Sequence, residues 1–231
     1  MDPISIPHAY TKKEDIEIAG LFAATMAWGN RKAIIANARQ LMALMDECPY
    51  QFVMNASIKD MRVFKKFVHR TFQSEDVTFF IRGLRHIYSQ LGSLEKAFFV
   101  PNAPTIQPGI IQFRNHMLEV NHAERSRKHL SDPDRGSAAK RLCMYLRWMV
   151  RKDSSKVDFG IWNTLLPSQL CMPLDVHTGR VSRDLGLLFR KQNDWKAVEE
   201  LTSALRLFDP HDPVKYDIAI FGMGVATKNL K

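Results

Sequence analysis

The stretch PLDVHTGRVSRDLG, residues 173–186, indicates how the chain is built. Asp175 stands where the N-cap of a helix belongs, because Thr178 follows three residues later and an amphipathic run continues beyond it. Backbone N–H groups and the helix dipole keep a carboxylate ionised at such a position. The segment therefore predicts a helix that begins just after a negatively charged side chain.

Helical patterns of this kind recur along the whole chain. Apolar residues at helical spacing predict helices over residues 15–28, 31–47, 61–72, 77–91, 110–120, 138–150, 176–185, 195–207 and 214–223. Asn30 is placed to cap the second of these helices. No stretch alternates apolar and polar residues cleanly enough to indicate a strand. The sequence therefore predicts an all-α fold.

Length and composition limit the class of protein. The chain has 231 residues, 45% of them hydrophobic, which suits one large domain or two smaller lobes. No apolar run reaches the length of a transmembrane helix, and MDPISIPHAY at residues 1–10 lacks the layout of a signal peptide. Three cysteines are too few for a four-cysteine iron–sulfur cluster. We expect a protein of the bacterial cytosol without metal, cofactor or membrane contact.

Positive charge is concentrated in one part of the chain. The formal net charge is +9, from 33 Lys and Arg residues against 24 Asp and Glu residues. Residues 111–152 hold ten basic and four acidic residues. Such an excess favours polyanionic partners, nucleic acid above all, and makes Arg125, Arg127 and Lys128 candidate phosphate contacts. The alternative is a solvated surface whose excess charge has no partner.

The segment around Asp175 also matches a motif of one enzyme superfamily. Residues 174–181 read LDVHTGRV and are followed by Leu-Gly at 185–186. They resemble the helix start that carries the essential aspartate in the helix-hairpin-helix superfamily of DNA base-excision glycosylases. In the endonuclease III and adenine-glycosylase branches this reads Val-Asp-Thr-His-x-x-Arg-Val, then Leu-Gly. The resemblance implies that Asp175 is catalytic, with His177 near the base pocket and Arg180 near phosphate. A simple helix cap is the alternative role for Asp175.

A second segment matches the same superfamily upstream. Residues 136–142, GSAAKRL, fall where the superfamily has its hairpin and the following helix. There, backbone N–H groups meet a DNA phosphate at a helix N-terminus, which implies that role for Gly136 and Ser137. Bifunctional members place a Schiff-base lysine on that helix, so the resemblance implies Lys140 as nucleophile and Arg147 as a DNA contact on its face. An ordinary surface lysine in a basic helix is the alternative.

The layout indicates which branch of the superfamily the chain resembles most. The usual Leu-Pro-Gly-Val-Gly hairpin is reduced to Gly136, and 35 residues separate Lys140 from Asp175. In both respects the chain is nearest to the archaeal 8-oxoguanine DNA glycosylases. Over nearly its full length it also resembles a bacterial family known only as a domain of unknown function, through phrases such as AWGNRK at 27–32 and RWMVR at 147–151. That second resemblance implies no activity.

Further residues are candidates for the base pocket. Asn30 or Arg31, after the first helix, correspond to positions where glycosylases insert a polar residue into the gap left by a flipped base. Trp28 and Trp162 could stack on a flipped base, or could simply belong to the core. Asp217, within the apolar last helix, needs either a base edge or a salt bridge as partner.

Together these features predict a two-lobed helix-hairpin-helix glycosylase. One lobe would hold residues 31–120, the other residues 1–30 with 121–231, and the cleft between them would receive a flipped, damaged base. We expect a monomer that acts on damaged duplex DNA, an oxidised purine among the candidate lesions, by base excision with or without β-elimination. The main alternative is a DNA-binding protein without chemistry on the same fold. An RNA-binding protein is a further alternative, since charge and aromatic content do not distinguish DNA from RNA.

Overall fold

The computed structural model describes residues 2–226, and the chain is mainly helical. Ten α-helices and one two-stranded antiparallel sheet occur within these residues. The helices are α1 (Lys13–Thr25), α2 (Arg31–Ala43), α3 (Pro49–Asn55), α4 (Ser74–Leu91), α5 (Leu94–Phe98), α6 (Gln107–Leu118), α7 (Lys140–Val150), α8 (Val176–Asp184), α9 (Trp195–Arg206) and α10 (Asp217–Ala226). The strands are β1 (Val68–His69) and β2 (Phe72–Gln73). In residues 2–226, none of the helices has the length and apolar character needed to cross a membrane.

The chain divides into two compact units. Unit 1 comprises Met1–Phe99 and Gln112–Leu130, and unit 2 comprises Val100–Ile111 and Ser131–Lys231. This division differs from the expected lobes, because the N-terminal segment falls with the middle helices and not with the C-terminal third. The packing of α1 explains the difference.

The core of unit 1 surrounds α1. Residues 16–25 of this helix are all buried. Its Glu17 is only 1% exposed, and the hydroxyl of Tyr88 on α4 donates to Glu17 Oε2 at 2.6 Å. Phe22 contacts the rings of Phe72 and Phe80 at centroid distances of 6.5 and 5.9 Å. A helix that is buried on every side belongs at the centre of a core, and α1 occupies that place in unit 1.

The buried carboxylate of Asp76 links the start of α4 to the 3-10 helix that follows α6. Asp76 is fully buried and accepts hydrogen bonds from the hydroxyl of Ser126 at 2.6 Å and from the backbone N–H of Gln73 at 2.8 Å. Arg125 Nη1 also donates to it, at 3.0 Å from Oδ2. Burial raises the pKa of Asp76, but hydrogen bonds from His129, Ser126 and Gln73 outweigh burial and lower that pKa to about 2.

The segment between α3 and α4 departs from the predicted helix over residues 61–72. It forms a 3-10 helix, Asp60–Lys66, followed by the β1–β2 hairpin. His69 and Phe72 are directly opposed in the hairpin and both are buried, whereas Val68 is 56% exposed. Side chains of the hairpin thus alternate between buried and exposed with the period of two that is typical of a strand. The apolar spacing alone therefore gave the wrong prediction of a helix for this segment.

Unit 2 is organised around α7. Most of this helix is buried, and the connector between α7 and α8 is laid along it. The backbone N–H groups of Phe159 and Trp162 donate to the carbonyls of Trp148 and Met149 at 2.8 and 3.0 Å. The ring of Trp162 meets Tyr145 edge-on at 5.6 Å. The aromatic connector therefore completes the core of unit 2 around the helix that carries Lys140.

Candidate active site

Asp175 is the N-cap of α8, as its sequence context predicts. One carboxylate oxygen, Oδ1, accepts the backbone N–H groups of His177 and Thr178, each at 2.9 Å. The residue before the cap, Leu174, is buried in the core of unit 2 and thereby holds Asp175 in place. Because a single oxygen satisfies both amides, the second oxygen remains free to face another group.

Lys140 is the first residue of α7. The preceding Ala139 has a left-handed backbone, with φ of +46°. This turn is tied to the start of α9, since Ser137 forms an antiparallel bridge with Asp194 and the backbone N–H of Trp195 donates to Gly136 O at 3.1 Å. The lysine therefore stands on a helix start that the rest of unit 2 fixes in place.

The side chains of Lys140 and Asp175 meet. Lys140 Nζ lies 3.3 Å from Asp175 Oδ2, and the two side chains are 31% and 22% exposed. Burial acts to raise the pKa of Asp175, but the Thr178 N–H, the charge and hydrogen bond of Lys140, and the His177 N–H outweigh it, so the pKa is lowered. The result is an ionised carboxylate beside an amine, in a position that a substrate can still reach.

Buried ion pairs extend from this pair along α7. Arg147 is 7% exposed, and its guanidinium contacts Asp217 Oδ2 through Nη1 and Asp158 Oδ1, at 3.2 Å, through Nη2. One turn further on, Arg151 donates to Asp212 Oδ2 at 2.7 Å and to Asp158 Oδ2 at 3.2 Å. The predicted role of Arg147 as a DNA contact is therefore corrected: its guanidinium is enclosed by carboxylates and joins α7 to the connector and to α10.

Asp217 couples this network to the candidate pair. Burial raises the pKa of Asp217, while Arg147 and Lys140 act to lower it and Asp175 acts to raise it. Of the two partners that its sequence position allowed, a base edge or a salt bridge, Asp217 has the salt bridge to Arg147. Its electrostatic coupling to Lys140 and Asp175 places it beside the candidate site as a supporting residue.

In the turn before α7, the backbone N–H groups that were expected to face a phosphate donate hydrogen bonds within the protein. Gly136 has a φ of +85°, and its N–H donates to Pro133 O at 2.9 Å. The Ser137 N–H donates to Asp132 O at 3.0 Å, and the hydroxyl of Ser137 accepts from the Ala139 N–H at 3.3 Å. The first backbone N–H groups of a helix have no acceptor within the helix, and this applies to the first turn of α7. Any phosphate contact here falls on those groups.

The basic residues of the 3-10 helix Glu124–His129 differ in their availability. Arg125 donates to Asp76 and, through Nη2, to Thr71 O at 3.0 Å, so it stabilises unit 1 and its predicted role at DNA is corrected. Arg127 and Lys128 are exposed. Among residues 2–226, Arg127 forms a surface ion pair with Glu124, at 3.1 Å. These two residues stay accessible to a phosphate backbone.

Three candidates for base contact lie in unit 1. Asn30 caps α2, its Oδ1 accepting from the Ala33 N–H at 3.2 Å, which confirms the predicted cap. Arg31 is exposed at the first position of α2. Trp28 is half-buried, and His69 meets its ring edge-on at a centroid distance of 5.0 Å. Asn30 therefore has a structural role, whereas Arg31 is open to solvent.

The remaining candidates lie in unit 2. Trp162 is 2% exposed, so its predicted stacking on a base is corrected to a core role. Arg180 donates to Gly224 O at 2.8 Å and thereby ties α8 to α10. His177 is half-buried, with its ring edge-on to Phe221 at 6.2 Å. Of this group, His177 lies nearest in the chain to Asp175 and remains partly accessible.

Residues 2–226 match the model of one protein family, described as "Protein of unknown function (DUF2400)". The chain belongs to this family. No curated protein matches the chain, and no solved structure does. In the described part of this DUF2400 protein, His, Cys, Asp and Glu side chains form no group of three or more that could hold a metal ion.

Proposed function

We propose that this protein is a DNA glycosylase of base-excision repair, with the helix-hairpin-helix fold and with Lys140 and Asp175 as its catalytic residues. One observation carries the proposal: Lys140 Nζ lies 3.3 Å from Asp175 Oδ2 although 35 residues of sequence separate them. An amine at the first position of one helix and a carboxylate at the N-cap of another supply a nucleophile and a stabiliser of positive charge. The motif at residues 173–186 supports the same assignment.

Base release comes first in this mechanism. The damaged nucleotide leaves the DNA stack, because the duplex hides the sugar carbon that reacts. The bond between C1′ and the base nitrogen breaks, and its electron pair leaves with the base, which takes up a proton. Positive charge grows on the deoxyribose, and the Asp175 carboxylate stabilises it electrostatically. The lowered pKa of Asp175 keeps this carboxylate ionised during the step.

Lys140 then acts as the nucleophile. The amine attacks only in its neutral form, so its ammonium group first loses a proton to water, while Asp175 Oδ2, at 3.3 Å, positions the nitrogen. The nitrogen lone pair forms a bond to C1′. A second proton then moves from the nitrogen to O4′ as the C1′–O4′ bond breaks, which gives a protonated Schiff base and a 4′ hydroxyl group. Removal of a C2′ proton then expels the 3′ phosphate by β-elimination, which nicks the strand.

The proposal is tested on labelled duplexes that contain 8-oxoguanine, another oxidised purine or an abasic site. Wild type is expected to release a damaged base and to nick the strand without added alkali. Lys140→Gln is expected to lose the nicking, and Asp175→Asn to lose base release. Asp184→Asn, an exposed carboxylate at the other end of α8, is the matched control and is expected to behave as wild type.

Two other outcomes are informative. Base release without nicking in wild type would mean that water is the nucleophile and that Lys140 serves another purpose. Duplex binding with neither reaction on any of these substrates would favour the binding protein without chemistry, in which Asp175 only caps α8 and Lys140 only contacts phosphate. Tighter binding of structured RNA than of duplex DNA would favour the RNA-binding alternative.

A further inference from the structure

The turn of the β1–β2 hairpin presents an arginine. Residues 70 and 71 connect the two strands, and Arg70 is exposed with a left-handed backbone, φ +55°. Residues other than glycine adopt this conformation uncommonly. The hairpin is tied to α2, since Asn37 Nδ2 lies 2.8 Å from His69 Nδ1. The arginine is therefore held at a fixed place beside α2.

Gly29 allows the arginine to approach the chain just before α2. Gly29 has a φ of +106°, and a Cβ added there would lie 2.5 Å from Arg70 Nη1 and 3.3 Å from Arg70 Cδ. The Arg70 side chain thus lies directly against the glycine backbone. Arg31 and Lys32 follow two and three residues later, and both are exposed. Three cations are therefore brought to one surface of unit 1, which we call the Arg70 patch: Arg31, Lys32 and Arg70.

The charge of the Arg70 patch is not neutralised by any carboxylate in the part of the chain that the structure describes. Within residues 2–226, none of its three cations forms an ion pair with a carboxylate. The adjoining segments, residues 29–32 and 65–70, contain no acidic residue, and the second adds Lys65 and Lys66, both exposed. Arg31 and Lys32 also stand in the first turn of α2, where cations are disfavoured by the helix dipole. A bound anion would relieve this repulsion.

We infer that the Arg70 patch is a phosphate-binding surface for a nucleic-acid backbone. Several exposed cations that form no ion pair with a carboxylate among residues 2–226 match a row of phosphates, because each cation can neutralise one phosphate and release a counterion. Arg70 also offers a planar guanidinium, which suits two oxygens of one phosphate. The inference rests on the proposed function only for the choice of duplex DNA as the ligand. It adds a contact surface in unit 1, outside the segment of residues 111–152.

The test measures the affinity of the full chain for an undamaged labelled duplex over a range of salt concentrations. The patch variant is Arg31→Gln with Lys32→Gln and Arg70→Gln. The control variant removes the same charge from other exposed positions of unit 1: Lys59→Gln with Arg82→Gln and Lys96→Gln. The patch variant is expected to bind about tenfold more weakly, with a salt slope lower by roughly 2 to 3, at about 0.9 per lost contact. Thermal melting of both variants verifies folding.

Equal affinity and slope in the patch and control variants would overturn the inference. So would a patch variant that loses binding to phosphatidylserine vesicles but not to DNA, because the ligand would then be a lipid surface. The two proposals fail separately. If wild type nicks damaged DNA while the patch variant binds like the control, only the patch is rejected. If wild type has no base-release or nicking activity but its binding depends on the patch, only the glycosylase is rejected.

Discussion

The two oxygens of Asp175 face different partners: Oδ1 accepts the N–H groups that begin α8, and Oδ2 lies 3.3 Å from Lys140 Nζ. The same carboxylate can therefore cap α8 and face Lys140 in the proposed reaction. The cap fixes the orientation of the side chain and helps to keep it ionised. The oxygen that faces Lys140 is the one available to the proposed reaction.

Substitution of Asp175 separates these two roles. Asp175→Asn retains an oxygen that can cap α8 and removes the charge, so we expect nearly unchanged stability and loss of base release. Asp175→Ala also removes the cap and is expected to cost a further 0.5–2 kcal/mol or so of unfolding free energy. Urea unfolding and a base-release assay measure the two effects. An Asn variant with full activity would mean that the charge of Asp175 has no part in the reaction.

Arg147 is expected to be among the residues most important for the stability of unit 2. Arg147→Gln leaves the buried Asp217 without its guanidinium partner and leaves Asp158 with Arg151 alone, which should cost roughly 3–5 kcal/mol in urea unfolding. Arg135→Gln is the control, because its ion pair with Asp132 is 3.8 Å long and its side chain is 87% exposed. A loss as small as that of the control would contradict the structural role of Arg147.

Asp76 makes the stability of unit 1 sensitive to acid. Its pKa is about 2 in the folded protein against an ordinary value of 3.8, so its contribution is complete above pH 4 and is lost as the pH falls toward 2. The contribution amounts to about 2 kcal/mol. We expect the difference in unfolding free energy between wild type and Asp76→Asn to shrink over that range. Asp184→Asn serves as control, and a difference that is independent of pH would contradict the prediction.

Arg127 and Lys128 can now be tested without disturbing the fold. Charge reversal of both to Glu is expected to weaken duplex binding and to lower the salt slope, whereas Arg125 is left intact because it supports Asp76. Affinity at several salt concentrations, compared with charge reversal of Lys59 and Lys96, measures the effect. If both pairs of substitutions act equally, this segment is no specific footprint for DNA.

Local chemistry made several features predictable from sequence. Asn30 caps α2 and Asp175 caps α8 as expected, because a cap depends on a few neighbouring residues. The short helix α3 was missed, since seven residues are too few to establish a helical period. The predicted helix over residues 61–72 was wrong because the opposed burial of His69 and Phe72 is set by tertiary packing.

The candidate site likewise contains residues that local sequence motifs identified and contacts that no local motif specified. Lys140 and Asp175 were found through motifs that are local in sequence, and the structure brings them together. The Arg147–Asp217 ion pair joins residues 70 positions apart, and no local pattern specifies such a pairing. Two arginines one turn apart, Arg147 within α7 and Arg151 at its C-cap, together with an aspartate in the apolar α10, were the available signal. The sequence left two roles open for Trp162, stacking on a base or packing in the core, because an aromatic connector looks the same in sequence whether it lines a pocket or fills a core.

Borohydride trapping on a duplex with an abasic site is the sharpest test of Lys140 as the nucleophile, because it captures the Schiff base as a stable covalent amine. We expect a protein–DNA adduct for wild type, mapped by mass spectrometry to the peptide that contains Lys140. We expect no adduct for Lys140→Gln and an undiminished adduct for the control Lys152→Gln, an exposed lysine of unit 2. No adduct in wild type, or an adduct that persists in Lys140→Gln, would contradict the assignment of Lys140 as the nucleophile.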